Sequence, residues 1–406
     1  MPLTIEDEIL VLCARTEIDQ VAQTRLTELV CQGEVDWERL ASRALLHRVN
    51  ACLYRHLVEE PKVSVDLPDQ FKVELARRVA IVRQENELKR WAAKLLWEAS
   101  DERGIAPIAL KGLDLVHSIY PPSWLRSYRD LDFLLVDEEV ETFRDILEGL
   151  GFQRGRWIAE HNLVVPITPE EDEARAKSGR PHSDFPYFLP TPELPGYSIA
   201  VELHYSICDE IRFHQIPTEE LASACQREVI DGVSQYYLTP CDLLVTLYVF
   251  VFNDYSSIEI MKSGEDFFLR SFADLREILV WHSDSIDWGR FLDSVRSWHL
   301  EYPVYQMNYF VEELYGEQML PEMVRNEITL PGFVDKRLAI HDTRCMPIDP
   351  AEKVIGYWET DFRSVFSRED RYYYSLERLF FNCINTYYHP IRKRKQEGNF
   401  PRPSWR

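Results

Sequence analysis

The fold class predicted for this chain is α+β, an α/β core embraced by helices before and after it. Three observations predict it. Helical apolar spacing fills the chain to about residue 103, short apolar runs alternate with short helical ones from 105 to about 205, and helical spacing returns from about 215 to 320. A length of 406 residues gives room for such a core and a substantial helical elaboration.

Element by element, Asp36-Trp37 opens a helix that continues through Leu40, Ala44 and Leu45 towards His47-Arg48-Val49. A longer one starts near Pro68, with Phe71, Leu75, Val79, Val82, Leu88, Trp91, Leu95 and Ala99 at helical spacing and Gly104 as its stop. Asn86 interrupts that stripe, as a hydrogen-bonded core amide or as a polar group aimed at a site. The pattern changes at Ile105. The run to Leu110 is a strand, Lys111-Gly112 a junction, and Leu115 to Tyr120 a brief helix. Asp130 to Val136 is a buried strand, Asp137 the N-cap of the next helix and Gly151 its end. Residues 152 to 198 are polar and proline-rich with short extended pieces such as Leu163 to Ile167, and Ser198 to Tyr205 alternates as a strand. From 215 to 320 the spacing is helical, with Phe268, Phe272, Leu275 and Leu279 on one stripe. The remainder is irregular apart from an aromatic helix at about 372–388 and a basic tail at 392–395. The predicted organisation is a helical N-terminal region (1–103), the α/β core (104–210), a helical C-terminal region (211–330) and a C-terminal extension (331–406).

The chemistry sits on Arg129-Asp130-Leu131-Asp132. Side chains alternate along a strand, so Asp130 and Asp132 share a face. Adjacent carboxylates in an apolar strand repel one another and resist burial, and a divalent cation answers both difficulties. Repulsion alone predicts that Asn at either position stabilises the metal-free chain. At the strand-to-helix junction Gly112 lets backbone amides approach phosphate oxygens, and Lys111 adds a charge. Arg126 and Arg129 flank the carboxylates with guanidinium groups suited to phosphate. Glu202, on the same strand face as Ala200 and His204, is the candidate third carboxylate, as metal ligand or as base. The other histidines are scattered, which argues against a zinc centre.

Together these segments resemble the nucleotidyltransferase superfamily, in particular a bacterial branch of uncharacterised nucleotidyltransferases often encoded beside peptide or polysaccharide natural-product genes. The likeness runs from Asp36-Trp37 to Leu279 and includes Ile105 to Gly112, Arg126 with Arg129 to Asp132, Leu150-Gly151-Phe152, Val201 to His204, Leu238 to Leu244 and Phe272 to Leu275. The superfamily usually carries Gly-Ser where Lys111-Gly112 stands here, and a shorter gap to the first aspartate; branch members often carry histidines where this chain reads Tyr248 to Asp254. The resemblance implies a nucleotidyltransferase-like mixed sheet, two magnesium ions on Asp130, Asp132 and Glu202, and a nucleoside triphosphate held by Lys111, Gly112, Arg126 and Arg129. The implied reaction moves a nucleoside monophosphate to a small-molecule or peptide acceptor and releases pyrophosphate. A non-catalytic nucleotide-binding scaffold and γ-phosphoryl transfer at the same site are the rival readings.

Net charge narrows the partners. At −22 the chain is a poor wrapper of nucleic acid, since phosphate neutralisation needs a basic face. The eight cysteines show no CxxC pair, the N-terminus is acidic, and the most apolar run, Leu243 to Phe252, is too short for a bilayer. A cytoplasmic protein without membrane or nucleic-acid partner is expected.

Overall fold

The computed structural model describes residues 4–31, 34–63, 66–176, 182–192, 194, 196–208, 216–256 and 268–328. The predicted aromatic helix and basic tail lie outside them. The chain divides into two units, of which the larger spans Pro2–Phe252 and Phe268–Thr329; the fold below is that of the larger unit. No helix of the described residues is long and apolar enough to cross a membrane.

Five helices come first: α1 (Ile5–Cys13), α2 (Gln20–Cys31), α3 (Trp37–Leu46), α4 (Asn50–Tyr54, extended by a π turn) and α5 (Asp69–Arg103). Asp36 caps α3, its carboxylate accepting from the Arg39 N–H at 2.9 Å. Gly104 ends α5 in the left-handed conformation, φ 71°. The stripe on α5 matches the spacing through Phe71, Leu75, Val79 and Val82, then turns. Its second half buries Ala92, Ala93, Leu96, Trp97 and Ser100, while Trp91 is 52% exposed. A helix this long has apolar residues on more than one flank, and the sheet it lies on decides which flank is covered. Asn86 proves to be a core amide, donating to the carbonyls of Ser123 (2.9 Å) and Arg126 (3.0 Å).

The core follows as β1 (Ile108–Leu110), α6 (Lys111–Ser118), β2 (Asp130–Leu134), α7 (Val140–Gly149), β3 (Gln153–Ile158), β4 (Leu163–Pro166), α8 (Pro169–Ala176), β5 (Tyr187–Pro190) and β6 (Ser198–His204). Asp137 does not cap α7 with its side chain; it opens a short 3-10 turn that leads into the helix. After α9 (Thr218–Ala224) comes a hairpin, β7 (Gln226–Ile230) and β8 (Val233–Tyr237), then α10 (Pro240–Ser256), α11 (Leu269–His282), α12 (Trp288–Ser297), α13 (Glu301–Tyr315) and α14 (Glu322–Ile328). Helical spacing from 215 onward therefore gives way at the hairpin, and the sheet reaches beyond residue 210. The turn is Asp231-Gly232, both at positive φ (50° and 81°), a dipeptide suited to tight hairpins.

The eight strands form one mixed sheet in the order β4-β3-β5-β6-β2-β1-β8-β7. β2 lies between β1 (antiparallel) and β6 (parallel). Leu131, Phe133, Val201 and Leu203 face a core completed by Trp97 of α5 and by Phe143 and Leu147 of α7. The N-terminal helices and those after the hairpin meet on each other: Glu277 of α11 accepts from the Thr16 N–H at 3.0 Å, Arg15 pairs with Glu317 at 2.9 Å, and the Tyr315 hydroxyl donates to the Ala14 carbonyl.

Candidate active site

Strand periodicity does the first sorting. With Leu131 and Phe133 committed to the core, Asp130 and Asp132 face away from it; with Val201 and Leu203 committed, Glu202 and His204 do the same. The parallel pairing of β2 and β6 then sets Asp132 opposite Glu202 and Leu134 opposite His204. On the other side, β1 places Leu110 opposite Asp132, so Lys111 emerges beside the same carboxylate.

One oxygen of Asp132 receives two donors. Lys111 Nζ and His204 Nε2 each stand 2.8 Å from Oδ1. Glu202 Oε2 lies 3.5 Å from the same His204 nitrogen. Asp132 is 1% exposed and His204 0%. Ligand atoms of Asp132, Glu202 and His204 all lie within 4.8 Å of one another, and Asp130 stands on the same strand face outside that tight trio.

The charges explain one another. Burial pushes the Asp132 carboxyl up, but Lys111 and His204 outweigh it and hold the group well below the usual carboxylate range. Asp130 has no such clamp; burial, then Asp132 and Glu202, push it up to about 7. Burial also opposes ionisation of Glu202, yet the His204 hydrogen bond prevails and lowers it. His204 is lowered by burial and by Lys111, and is raised on balance by the two carboxylates it bridges. Lys111, opposed by burial, is raised by Asp132, Glu202 and Asp130.

This donor set fits a divalent cation. Asp132 and Glu202 offer oxygens from adjacent strands and Asp130 adds another, the chemistry a hard ion such as magnesium takes. His204, hydrogen-bonded to Asp132 through Nε2, orients that carboxylate as the partner of a ligand does.

The junction is equally specific. Lys111 begins α6 at φ 47°, a left-handed backbone that costs any residue with a Cβ, and its ammonium reaches Asp132 from there. Leu110, the N-cap residue of α6, makes no side-chain cap hydrogen bond, the arrangement in which an anion can serve a helix's first amides. A Cβ on Gly112 would come 2.4 Å from the Cβ of Tyr128, so only glycine permits this approach of α6 to the residues before β2.

Residues 33–316, well over half of the chain, match the model of a family described as uncharacterised nucleotidyltransferase. The chain belongs to that family. No curated protein sequence matches it. Among solved structures it is similar to the Megavirus polyadenylate synthase at 13% identity and a TM-score of 0.29, over 64% of this chain and 52% of that one; the chain thus spans about half the length of that protein.

In this member of the family the remaining predicted residues part company. Arg129 is exposed at the start of β2. Arg126 is buried and clamped instead by Asp274 of α11, with Nε 2.9 Å from Oδ1 and Nη2 2.7 Å from Oδ2, and the Tyr120 hydroxyl 2.7 Å from the same carboxylate. Nε and Nη2 of its fork hold the loop before β2 to α11, while Nη1 is buried beside Gly112 without a hydrogen-bond partner among the described residues. Sequence spacing alone did not reveal Asp274 as the partner, which comes from a distant helix. His204 as the clamp of Asp132 was legible in principle, because Glu202-Leu203-His204 puts both polar side chains on one face. Lys89, 1% exposed and donating to the Tyr128 carbonyl, is hidden in the sequence by its place on an amphipathic helix.

Proposed function

We propose that this chain is a magnesium-dependent nucleotidyltransferase that moves a nucleoside monophosphate from a nucleoside triphosphate to a small-molecule or peptide acceptor. An acceptor oxygen forms a bond to the α-phosphorus, the bond from that phosphorus to the oxygen bridging the β-phosphate breaks, and pyrophosphate leaves with the electron pair. The observation that carries this reading is the register of β2 and β6, which pairs Asp132 with Glu202 and leaves Asp130 on the same face.

In this reading Asp130, Asp132 and Glu202 hold magnesium, which when bound screens the triphosphate and acidifies the attacking hydroxyl. Glu202, on β6 opposite Asp132, accepts the acceptor proton. Lys111 and the amides of the Gly112 turn bind phosphate oxygens, and Arg129 adds a guanidinium at the rim. Arg126 serves by positioning Tyr128 and the entry to β2. The setting is the cytoplasm, where nucleoside triphosphates and magnesium are supplied.

Incubation of the full chain with nucleoside triphosphates labelled at the α-phosphate and, in parallel, at the γ-phosphate, over pools of small-molecule and peptide acceptors, tests the proposal. Chelator-sensitive label in an acceptor with matching pyrophosphate is expected, and both are lost in Asp132→Asn. Label arriving only from the γ-phosphate replaces the reading with phosphoryl transfer. Nucleotide binding with transfer of neither label replaces it with a scaffold.

A further inference from the structure

The N-terminal helices, the residues leading into β2, Tyr197 and Arg270 line an open cleft of about 410 Å³. Its wall carries Arg48, Arg78, Lys89, Arg129 and Arg270, with Glu85 the acidic residue among the lining side chains. Such a concentration of positive charge stands out in a chain of net charge −22. Two of these cations are tied down from behind. Lys89 donates to the Tyr128 carbonyl with its ammonium 4.6 Å from the Tyr128 ring centroid, and Arg270 Nη1 donates to the Ser127 carbonyl at 2.9 Å. Arg270 Nε is buried without a hydrogen-bond partner among the described residues. Arg48 lies over the Phe268 ring at 4.2 Å. Arg78 pairs with Glu74 at 2.8 Å and Lys89 with Glu85 at 3.8 Å, so the group in this cleft that calls for an anion is Arg270, whose orphaned guanidinium N–H needs an acceptor.

A second cavity, of about 490 Å³, shares Leu45, Asn50 and Arg78 with the first. Its lining is of another kind: Trp37 and Phe71, ring centroids 4.9 Å apart, with Pro68 and Val73. The two cavities adjoin at those residues, the first basic where Tyr128 and Arg129 lead into Asp130, the second mainly apolar with Glu38 and Glu74 also in its lining.

We propose that these adjoining cavities are the acceptor site, and that the acceptor is an amphiphilic anion. Its phosphate or carboxylate head lies against Arg270, Lys89 and Arg48, and its apolar body lies against Trp37 and Phe71. This rests on the nucleotidyl-transfer reading for the word acceptor, but the binding can be measured without turnover.

Octyl phosphate, octanoate and inorganic phosphate are titrated into the full chain by calorimetry, with and without saturating magnesium tripolyphosphate. Octyl phosphate or octanoate should bind at least tenfold more tightly than inorganic phosphate, because several methylenes leave water at about 0.8 kcal/mol each. Whichever of the two binds more tightly identifies the head group. Arg78→Glu should weaken all three ligands about tenfold, whereas Val73→Asp should weaken only the octyl compounds. Both positions reach solvent, so the fold survives either change. Arg270→Gln, checked for folding by thermal melting, should weaken binding further. Displacement of octyl phosphate by tripolyphosphate would assign the basic end to the nucleotide's own phosphates and overturn the proposal, as would the absence of saturable binding. Binding that persists in a chain showing no label transfer supports the site while removing the transferase reading, which keeps the two failures distinct.

Discussion

Because Lys111 and His204 both hydrogen-bond to one oxygen of Asp132, that carboxylate holds a cluster of buried charge together. The two aspartates therefore respond differently to the same substitution, where repulsion alone predicts the same gain for both. Asp130→Asn should raise the stability of the metal-free chain, since burial and its acidic neighbours already oppose its ionisation. Asp132→Asn should lower it by about 1–3 kcal/mol, because half-buried Lys111 and buried His204 lose their charged acceptor. Urea denaturation in the presence of a chelator separates them, and equal stabilisation of both variants would remove the clamp. His204→Gln tests the orienting role: loss of a ligand's hydrogen-bond partner typically costs about 10–100-fold in metal affinity, read here by manganese titration. Unchanged affinity would make His204 a packing residue. At Gly112 the added methyl of Gly112→Ala meets Tyr128 at 2.4 Å, so overpacking should cost about 1–3 kcal/mol and weaken tripolyphosphate binding together. A variant with wild-type melting and wild-type binding would contradict the close approach.

Among the elements, α6 carries a buried acid with a pH signature. Asp114 is buried, accepts from the Leu238 N–H at 3.2 Å and from the Ser118 hydroxyl at 2.8 Å, and is pushed up to about 7, chiefly by burial. As pH rises from about 4 to 7 the unfolded chain releases this proton while the folded chain keeps it, so stability falls across that window and the loss is constant above it. Asp114→Asn retains an acceptor for Leu238 and places a donor towards Ser118. Its stability relative to wild type should therefore increase from pH 4 to pH 7, measured by denaturant midpoints at each pH; a parallel profile would show that Asp114 does not titrate there. How legible an element was depended on where its signal lay. The hairpin β7–β8 was written in Asp231-Gly232, but β7 is a polar edge strand whose side chains are mostly exposed, so it lacks the apolar run that marks a strand. The α5 stripe was legible for its first half only, since the turn of the buried face at Ala92 and Ala93 answers to the sheet beneath it.

At the scale of the molecule, the N-terminal helices and those after the hairpin close on each other through a chain of polar contacts: Arg15 to Glu317, Glu317 to Arg276, Arg276 to Glu277, and Glu277 to Thr16. Glu277 is buried, and its removal leaves the Thr16 N–H without that acceptor. Glu277→Ala and Arg15→Ala should each destabilise, and because they share one network their effects should depart from additivity by about 0.5–3 kcal/mol. A double-mutant cycle in urea checks this, and strict additivity would show that the two contacts are held independently. Arg126 with Asp274 ties the same C-terminal layer to the loop before β2, so Asp274→Ala, which strands a buried guanidinium, should cost about 3–5 kcal/mol and reduce nucleotide affinity through the displaced loop. Loss of stability with intact affinity would confine that pair to folding.

By itself the sequence determined the alternation that sends Asp130 and Asp132 to one face, the same alternation for Glu202, the left-handed stop at Gly104 and the Asp36 cap. Each of these follows from a period or a backbone preference that operates within a few residues. Only the tertiary structure decided that β2 and β6 are neighbours in a register that opposes Asp132 to Glu202, that His204 completes the clamp, and that Arg126 belongs to Asp274. Those pairings join residues far apart in the chain, and they are chosen by which apolar faces the sheet and helices bury together, a property that no local stretch of sequence carries.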